Sequence, residues 1–338
     1  MKKTISAAVA LSIFAAPAIA ANLENPLYMP KQGSVYSKTS AGVMYKIADD
    51  SDAHQLKNHD GATEFPIWRV HEELGYGILD NLEAYAKFGY THDGDIDRKG
   101  IHLGRAGLKY RAINTDDGWV WDLYADAQLG GIVEMSGSYA ANGFTYDNYS
   151  TGRWGFHVGT QVGKAWSKFS TAAFVEVLRT FGNDNNSIEI SELKQIKNIP
   201  PFANIPDEIS VDLKSTTEVN AGLKAFYQLD DRWSFGGGFT FKHHADNGVE
   251  GLATSLDSNG NPTIATIQQD FVDGLMPIVE DMDDGFDEYI LNLTAAYQMT
   301  DTMQVAVYGE YTFDESHVNS QNGTDVKAEL GVRLNVQF

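Results

Sequence analysis

The chain ends on AELGVRLNVQF, residues 328–338, with an apolar side chain at every second position up to the terminal Phe338. Lys327, Glu329, Arg333, Asn335 and Gln337 occupy the alternate positions. A period of two is that of a β-strand with one apolar and one polar face. A soluble protein has little reason to carry that pattern to its last residue. A barrel in lipid requires it, because apolar side chains must face outward and polar ones inward over segments of about 10 residues.

The pattern recurs upstream. Met303, Val305, Val307 and Tyr311 alternate with Gln304, Ala306, Tyr308, Glu310 and Thr312. Leu291, Leu293 and Tyr297 alternate with Asn292, Thr294 and Gln298, and Val219, Leu223 and Tyr227 with Asn220, Lys224 and Gln228. Trp154, Phe156, Val158 and Val162 stand against His157 and Gln161; Trp121 and Leu123 against Asp122, Tyr124 and Asp126; Phe88 and Tyr90 against Lys87 and Gly89. Residues 34–46, 66–78, 99–112, 168–181 and 232–242 alternate less cleanly, which brings the expected count to about twelve strands.

Period two also fits a soluble sandwich, so the connections decide. Tight turns at 79–81, 113–118, 163–167, 229–232 and 299–302 alternate with longer polar loops at 48–64, 92–99, 131–152, 182–212, 243–285 and 314–324. A sandwich has no reason to gather every long loop at one end, whereas a transmembrane barrel has short periplasmic turns and long external loops. In hydrocarbon every backbone amide must be paired within the protein, so a spanning sheet has to close on itself. The expected fold is an all-β, antiparallel, up-and-down transmembrane barrel of residues 34–338. Tyr76, Trp119, Trp166, Tyr227, Trp233, Tyr297 and Phe338 lie beside the short turns, as an interfacial girdle would.

The other end agrees. MKKTISAAVALSIFAAPAIA joins two lysines, an apolar run and Ala18-Ile19-Ala20, the layout of a cleaved secretory signal over residues 1–20. Residues 21–33, with two prolines and no dyad, read as an extended periplasmic lead-in with no evident role. There is no cysteine, so an exported chain of 338 residues holds together without disulfides. With 46 acids against 25 bases the formal charge is -21, which argues against nucleic acid as a partner.

With its signal, its dyad strands and the terminal run through Gly331, Leu334, Val336 and Phe338, the chain resembles Gram-negative outer-membrane β-barrels, porin-like ones in particular. The resemblance implies outer-membrane localisation, and contact with lipid, lipopolysaccharide and the barrel assembly machinery, which would read those four residues as an insertion signal. It leaves homo-oligomerisation open.

His317 and Ser320 lie in a loop without the spacing of a barrel lipase. Asp122, Asp126 and His157 could imitate a protease site but fit a salt-bridged wall better. His243-His244 lacks a third ligand, and 257–262 lacks the Gly and closing Glu of an EF-hand. No catalytic residue, metal or cofactor is expected.

The inner wall says more. Inward positions hold Lys38, Lys46, Arg69, Lys87, Arg105, Lys109, Lys327 and Arg333, an arc that closure makes continuous, with Asp122, Asp126, Glu176 and Glu310 further round. Either the two sets make a transverse field across a pore, or they pair and leave little free lumen. The leading expectation is a channel for small hydrophilic solutes or ions. The alternatives are a closed surface-interaction barrel and, less favoured, a lipid enzyme. From His243 to Val326 there is no Lys or Arg among many acids, which predicts a negative outer mouth and a mild cation preference.

Overall fold

The computed structural model describes residues 22–47, 67–93, 98–130, 134–139, 144–146, 153–189, 208–213, 215–245, 249–253, 286–314 and 326–338. Twelve strands form the barrel: β1 (Val35–Ile47), β2 (Ile67–Leu79), β3 (Leu82–Asp93), β4 (Arg98–Asn114), β5 (Trp119–Gln128), β6 (Gly155–Ala165), β7 (Phe169–Thr180), β8 (Thr216–Gln228), β9 (Trp233–His244), β10 (Phe286–Gln298), β11 (Met303–Asp314) and β12 (Val326–Gln337). Each pairs antiparallel with its chain neighbours, and β12 pairs with β1 from Tyr36↔Gln337 to Ile47↔Val326. Five shorter strands in the long connections, such as Glu208–Leu213, extend the sheet at that end.

The terminal stretch is what closes the sheet. The Phe338 N–H donates to Val35 O (2.8 Å) and the Val35 N–H to Phe338 O (3.2 Å), so the seam is hydrogen-bonded to its last residue. Its outward side chains are bare: Leu330 is 65% exposed, like Leu223 at 63% and Leu293 at 62%. Apolar exposure on every outward face is a liability in water and the requirement in lipid. A second aromatic belt, Tyr45, Trp68, Tyr90, Trp154, Phe181 and Tyr311, stands at the long-loop end opposite the one beside the turns.

The apolar face is broken at β1 and β2. Ser37, Thr39 and Glu72 share the outward parity of Val35, Val70 and Leu74, and both hydroxyls donate to the Glu72 carboxylate, at 2.6 and 2.5 Å. That is why the alternation is weak over 34–46 and 66–78.

Local chemistry fixes the short turns. Asp230 accepts from the backbone N–H of Trp233 (2.7 Å) and Arg232 (2.8 Å), bonds that hold its carboxyl below the ordinary value. Gly118 takes φ +90°, and a Cβ there would lie 2.1 Å from Ala165 O, so the β4–β5 turn admits only glycine.

Candidate functional site: the barrel lumen

The period of two points one face of every strand inward, and ten of the twelve charged residues singled out by sequence sit on that face: Lys38 (β1), Arg69 (β2), Lys87 (β3), Arg105 and Lys109 (β4), Asp122 and Asp126 (β5), Glu176 (β7), Glu310 (β11) and Arg333 (β12). Seven of them, Lys38, Arg69, Lys87, Lys109, Glu176, Glu310 and Arg333, line one cavity of about 470 Å³. A smaller cavity of about 280 Å³ toward the long-loop end shares Arg69, Glu310 and Glu329 with it. Arg105, Asp122 and Asp126 are packed behind this surface. Nothing is described for the side chains of Lys46 and Lys327.

The basic arc is not continuous. Glu73 lies in register between Lys38 and Lys87 and pairs with both, at 3.3 and 3.4 Å. Lys109 reaches Glu83 (3.8 Å) and Asp122 (3.9 Å), Arg69 pairs with Glu329 (3.2 Å), and Arg111 holds Asp122 through Nε at 2.7 Å. Four inward tyrosines complete the pairing: Tyr36 donates to Glu73 (2.8 Å) and packs against Glu83, Tyr85 donates to Asp126 (2.7 Å), Tyr124 to Glu176 (3.0 Å) and Tyr308 to Glu329 (2.8 Å). Burying a charge in so narrow a lumen requires a partner, and the wall supplies one acid per base or nearly so. Among the described cavity-lining charges, Lys224 on β8 and Glu310 are in no ion pair; the Lys224 ammonium sits 4.3 Å from the Phe174 ring centroid.

Of Asp122, Asp126 and His157, the structure brings together only the last two, and Asp122 is held instead by Arg111 and Gln161. His157 contacts Asp126 through Nδ1 at 2.7 Å and Glu176 through Nε2 at 3.3 Å. The hydroxyls beside the imidazole are those of Tyr85 and Tyr124, both donors to the same two carboxylates, so the imidazole is clamped between Asp126 and Glu176. At the long-loop end His243 meets Asp287 (2.6 Å), and His244 lies 3.5 Å from Glu218. Among the described residues no three His, Asp or Glu gather as a metal site. His317, Ser320 and residues 257–262 lie outside the described residues.

Sequence reasoning missed the segment 22–33. It enters the lumen at the short-turn end and folds as two tight turns, Asn25 N–H donating to Asn22 O and Tyr28 N–H to Asn25 O, both at 3.0 Å. Both buried apolar clusters among the described residues form around it: Leu23 and Tyr28 against Tyr36, and Leu27 (3% exposed) against Val120 and Ala172. Three successive carbonyls are read by wall side chains: Pro26 O by Gln161 (3.0 Å), Leu27 O by Arg111 (2.8 Å) and Tyr28 O by Lys109 (2.8 Å). Glu24 accepts from Arg333 (2.8 Å) and Asn335 (2.7 Å), Asn25 from Ser170 (2.8 Å), and Asn22 donates to Ser234 (3.1 Å). A polar, turn-forming stretch with three large apolar residues, just before the first strand, is the signal that could have revealed it.

Of the residues proposed as an assembly signal, Leu334 and Val336 face outward, Phe338 is 76% exposed, and Gly331 faces inward beneath the Tyr308 ring.

No family model matches the chain, and no curated protein matches it. Its fold matches the COG4313 outer membrane channel from Pseudomonas putida F1 with a TM-score of 0.54 at 12% identity, over 92% of this chain and 97% of that one. Weaker likenesses, which carry no argument, are the NanC porin (TM-score 0.45, 9% identity, 89% and 98% covered) and the Pseudomonas putida toluene transporter TodX (0.44, 7%, 96% and 93%). The chain has the fold of the outer-membrane channel barrels.

Proposed function

We propose that the barrel is a narrow passive channel for small hydrophilic solutes or ions, non-enzymatic, constricted at its short-turn end by residues 22–33. One observation carries the reading: two adjoining cavities lined by charged and hydroxyl side chains run inside a barrel whose outer face is apolar. Such a lumen is wettable, and its width is set by the docked segment rather than by the strand number alone. On the same reading the terminal strand is the insertion signal, and the acidic stretches of the long loops, which lie outside the described residues, set the field at the outer mouth.

The test is planar-bilayer recording of the wild type and of a variant lacking residues 22–30. Small discrete steps that grow in the deletion variant are expected. Complete absence of steps from both, with the barrels folded, would overturn the channel in favour of a closed barrel acting through its surface.

A further inference from the structure

Inward glycines in this barrel are covered. The space a Cβ would need is filled by the Tyr36 ring at Gly75, Tyr124 at Gly159, Tyr308 at Gly331 and Phe174 at Gly222, all at under 3 Å. Gly236 on β9 departs from the rule: the atoms nearest its would-be Cβ are Thr294 Cβ at 3.7 Å and Ala225 O at 3.8 Å. The register of β9 with β8 and β10 runs unbroken through Gly236, so there is no bulge to explain the residue. A glycine inside a strand that serves neither a bulge nor a close neighbour leaves room for a ligand to approach the backbone.

Lys224 stands beside this bare patch. It is in register with Gly238, lines the same cavity as Gly236, and has no carboxylate within ion-pair distance among the described residues. Its ammonium packs near the Phe174 ring. β3 lies five strands from β8 in a circuit of twelve, so Lys87, with Lys38 beside it, enters the cavity from the facing wall. Those two lysines share the single carboxylate of Glu73. Glu176, already engaged by His157 and Tyr124, is the acid whose field reaches Lys224. Cations from opposite walls beside a patch of bare backbone at Gly236 match an anionic group on a small flat body. A cavity of about 470 Å³ has the size of a small-molecule site, which typically measures about 300–1,000 Å³.

We propose that the lumen holds a binding site for a small aromatic carboxylate, with the acid group on Lys224 and the ring over the backbone at Gly236. The inference rests on the reading of the lumen as a solute pathway and narrows the solute class.

The experiment is titration calorimetry of the folded barrel in detergent at low salt, with benzoate as the probe. Saturable binding is expected, with acetate (acid without ring) and benzylamine (ring without acid) at least about tenfold weaker, since each leaves one half of the site unmet. Lys224→Gln and Gly236→Val should each weaken benzoate by about tenfold or more, the first removing the charge and the second filling the platform. If Gly236→Val does not fold, Lys224→Gln, at a water-exposed lumenal position, decides. Benzoate binding no tighter than acetate, or unchanged in Lys224→Gln, would overturn the site. The two readings fail separately: a barrel that conducts without binding benzoate overturns the site alone, and one that binds benzoate without conducting overturns the channel and supports the site.

Discussion

Replacing Glu24 by Ala should loosen the constriction without unfolding the barrel. The Glu24 side chain is 7% exposed and accepts from Arg333 Nη1 at 2.8 and 3.1 Å and from Asn335 Nδ2 at 2.7 Å. Breaking a fully buried ion pair costs about 3–5 kcal/mol, because the abandoned charge stays dry. Here Arg333 is 27% exposed to the lumen and keeps the Tyr308 ring 4.9 Å away, so water and the ring soften the loss. The appropriate scale is that of hydrogen bonds to a charged group, about 1.5–3 kcal/mol. At about 1.4 kcal/mol per decade, the docked-to-undocked ratio of the segment should fall about tenfold to a hundredfold. The wall of the barrel does not depend on Glu24, so its melting should hardly move. The assay pairs single-channel recording, read as the fraction of time in a larger conductance, with amide hydrogen exchange at Leu27 and Tyr28. Glu24→Gln keeps the shape and one acceptor and should show a smaller effect. Unchanged conductance and unchanged exchange in Glu24→Ala would refute the view that this contact holds the segment in the lumen.

Asp122→Ala should destabilise the barrel itself by about 3–5 kcal/mol, because Asp122 is fully buried and Arg111 is left without its carboxylate; the check is the temperature at which the folded, fast-migrating form is lost on unheated gels. Deleting Phe338 removes a mostly exposed side chain whose burial could contribute at most about 2–3 kcal/mol, and with it the last two backbone hydrogen bonds of the β1–β12 seam, so folded protein should survive while insertion in cells fails; normal outer-membrane levels of the truncated chain would contradict this. Changing Asp281, Asp283 and Asp284 together to Asn should reduce a mild cation preference measured as reversal potential across a KCl gradient. That preference should itself fade toward 1 M salt, where the Debye length is about 3 Å; an anion-selective wild type or an unshifted variant would place selectivity elsewhere.

The barrel was legible because lipid imposes one rule on every strand, and the rule survives local exceptions. The clean dyads at 121–128, 154–162 and 303–312 gave face and direction at once, since a slip of one residue would turn every apolar side chain inward. The weak strands are weak for reasons a sequence hides. At Ser37, Thr39 and Glu72 the polar groups satisfy one another on the outward face, and along β9 three successive glycines carry no hydrophobic signal for either face.

The lumen was legible in the direction of its side chains and not in their level. Across the two-residue β2–β3 turn, counting back from Asp80 and Asn81 sets Glu73 against Phe88, and a register shift between Gly77 and Leu79 moves it onto Lys87. Lys38 against Glu73, Lys109 against Glu83 and His157 against Asp126 all join strands across long connections, where the chain gives the direction of a side chain but not its level. An arc of bases could therefore be read from parity while the acids interleaved with it could not. The consequence reaches function: once pairing is known, the transverse field expected from eight bases and four acids shrinks to the cavity-lining charges left in no ion pair among the described residues, Lys224 on β8 and Glu310 on β11. They stand three strands apart, so the field they make is local to one side of the cavity. Solute choice in the lumen should then depend on contact at that place more than on the net charge of the wall, and the broad potential of a -21 chain should act at the mouth, where salt can erase it.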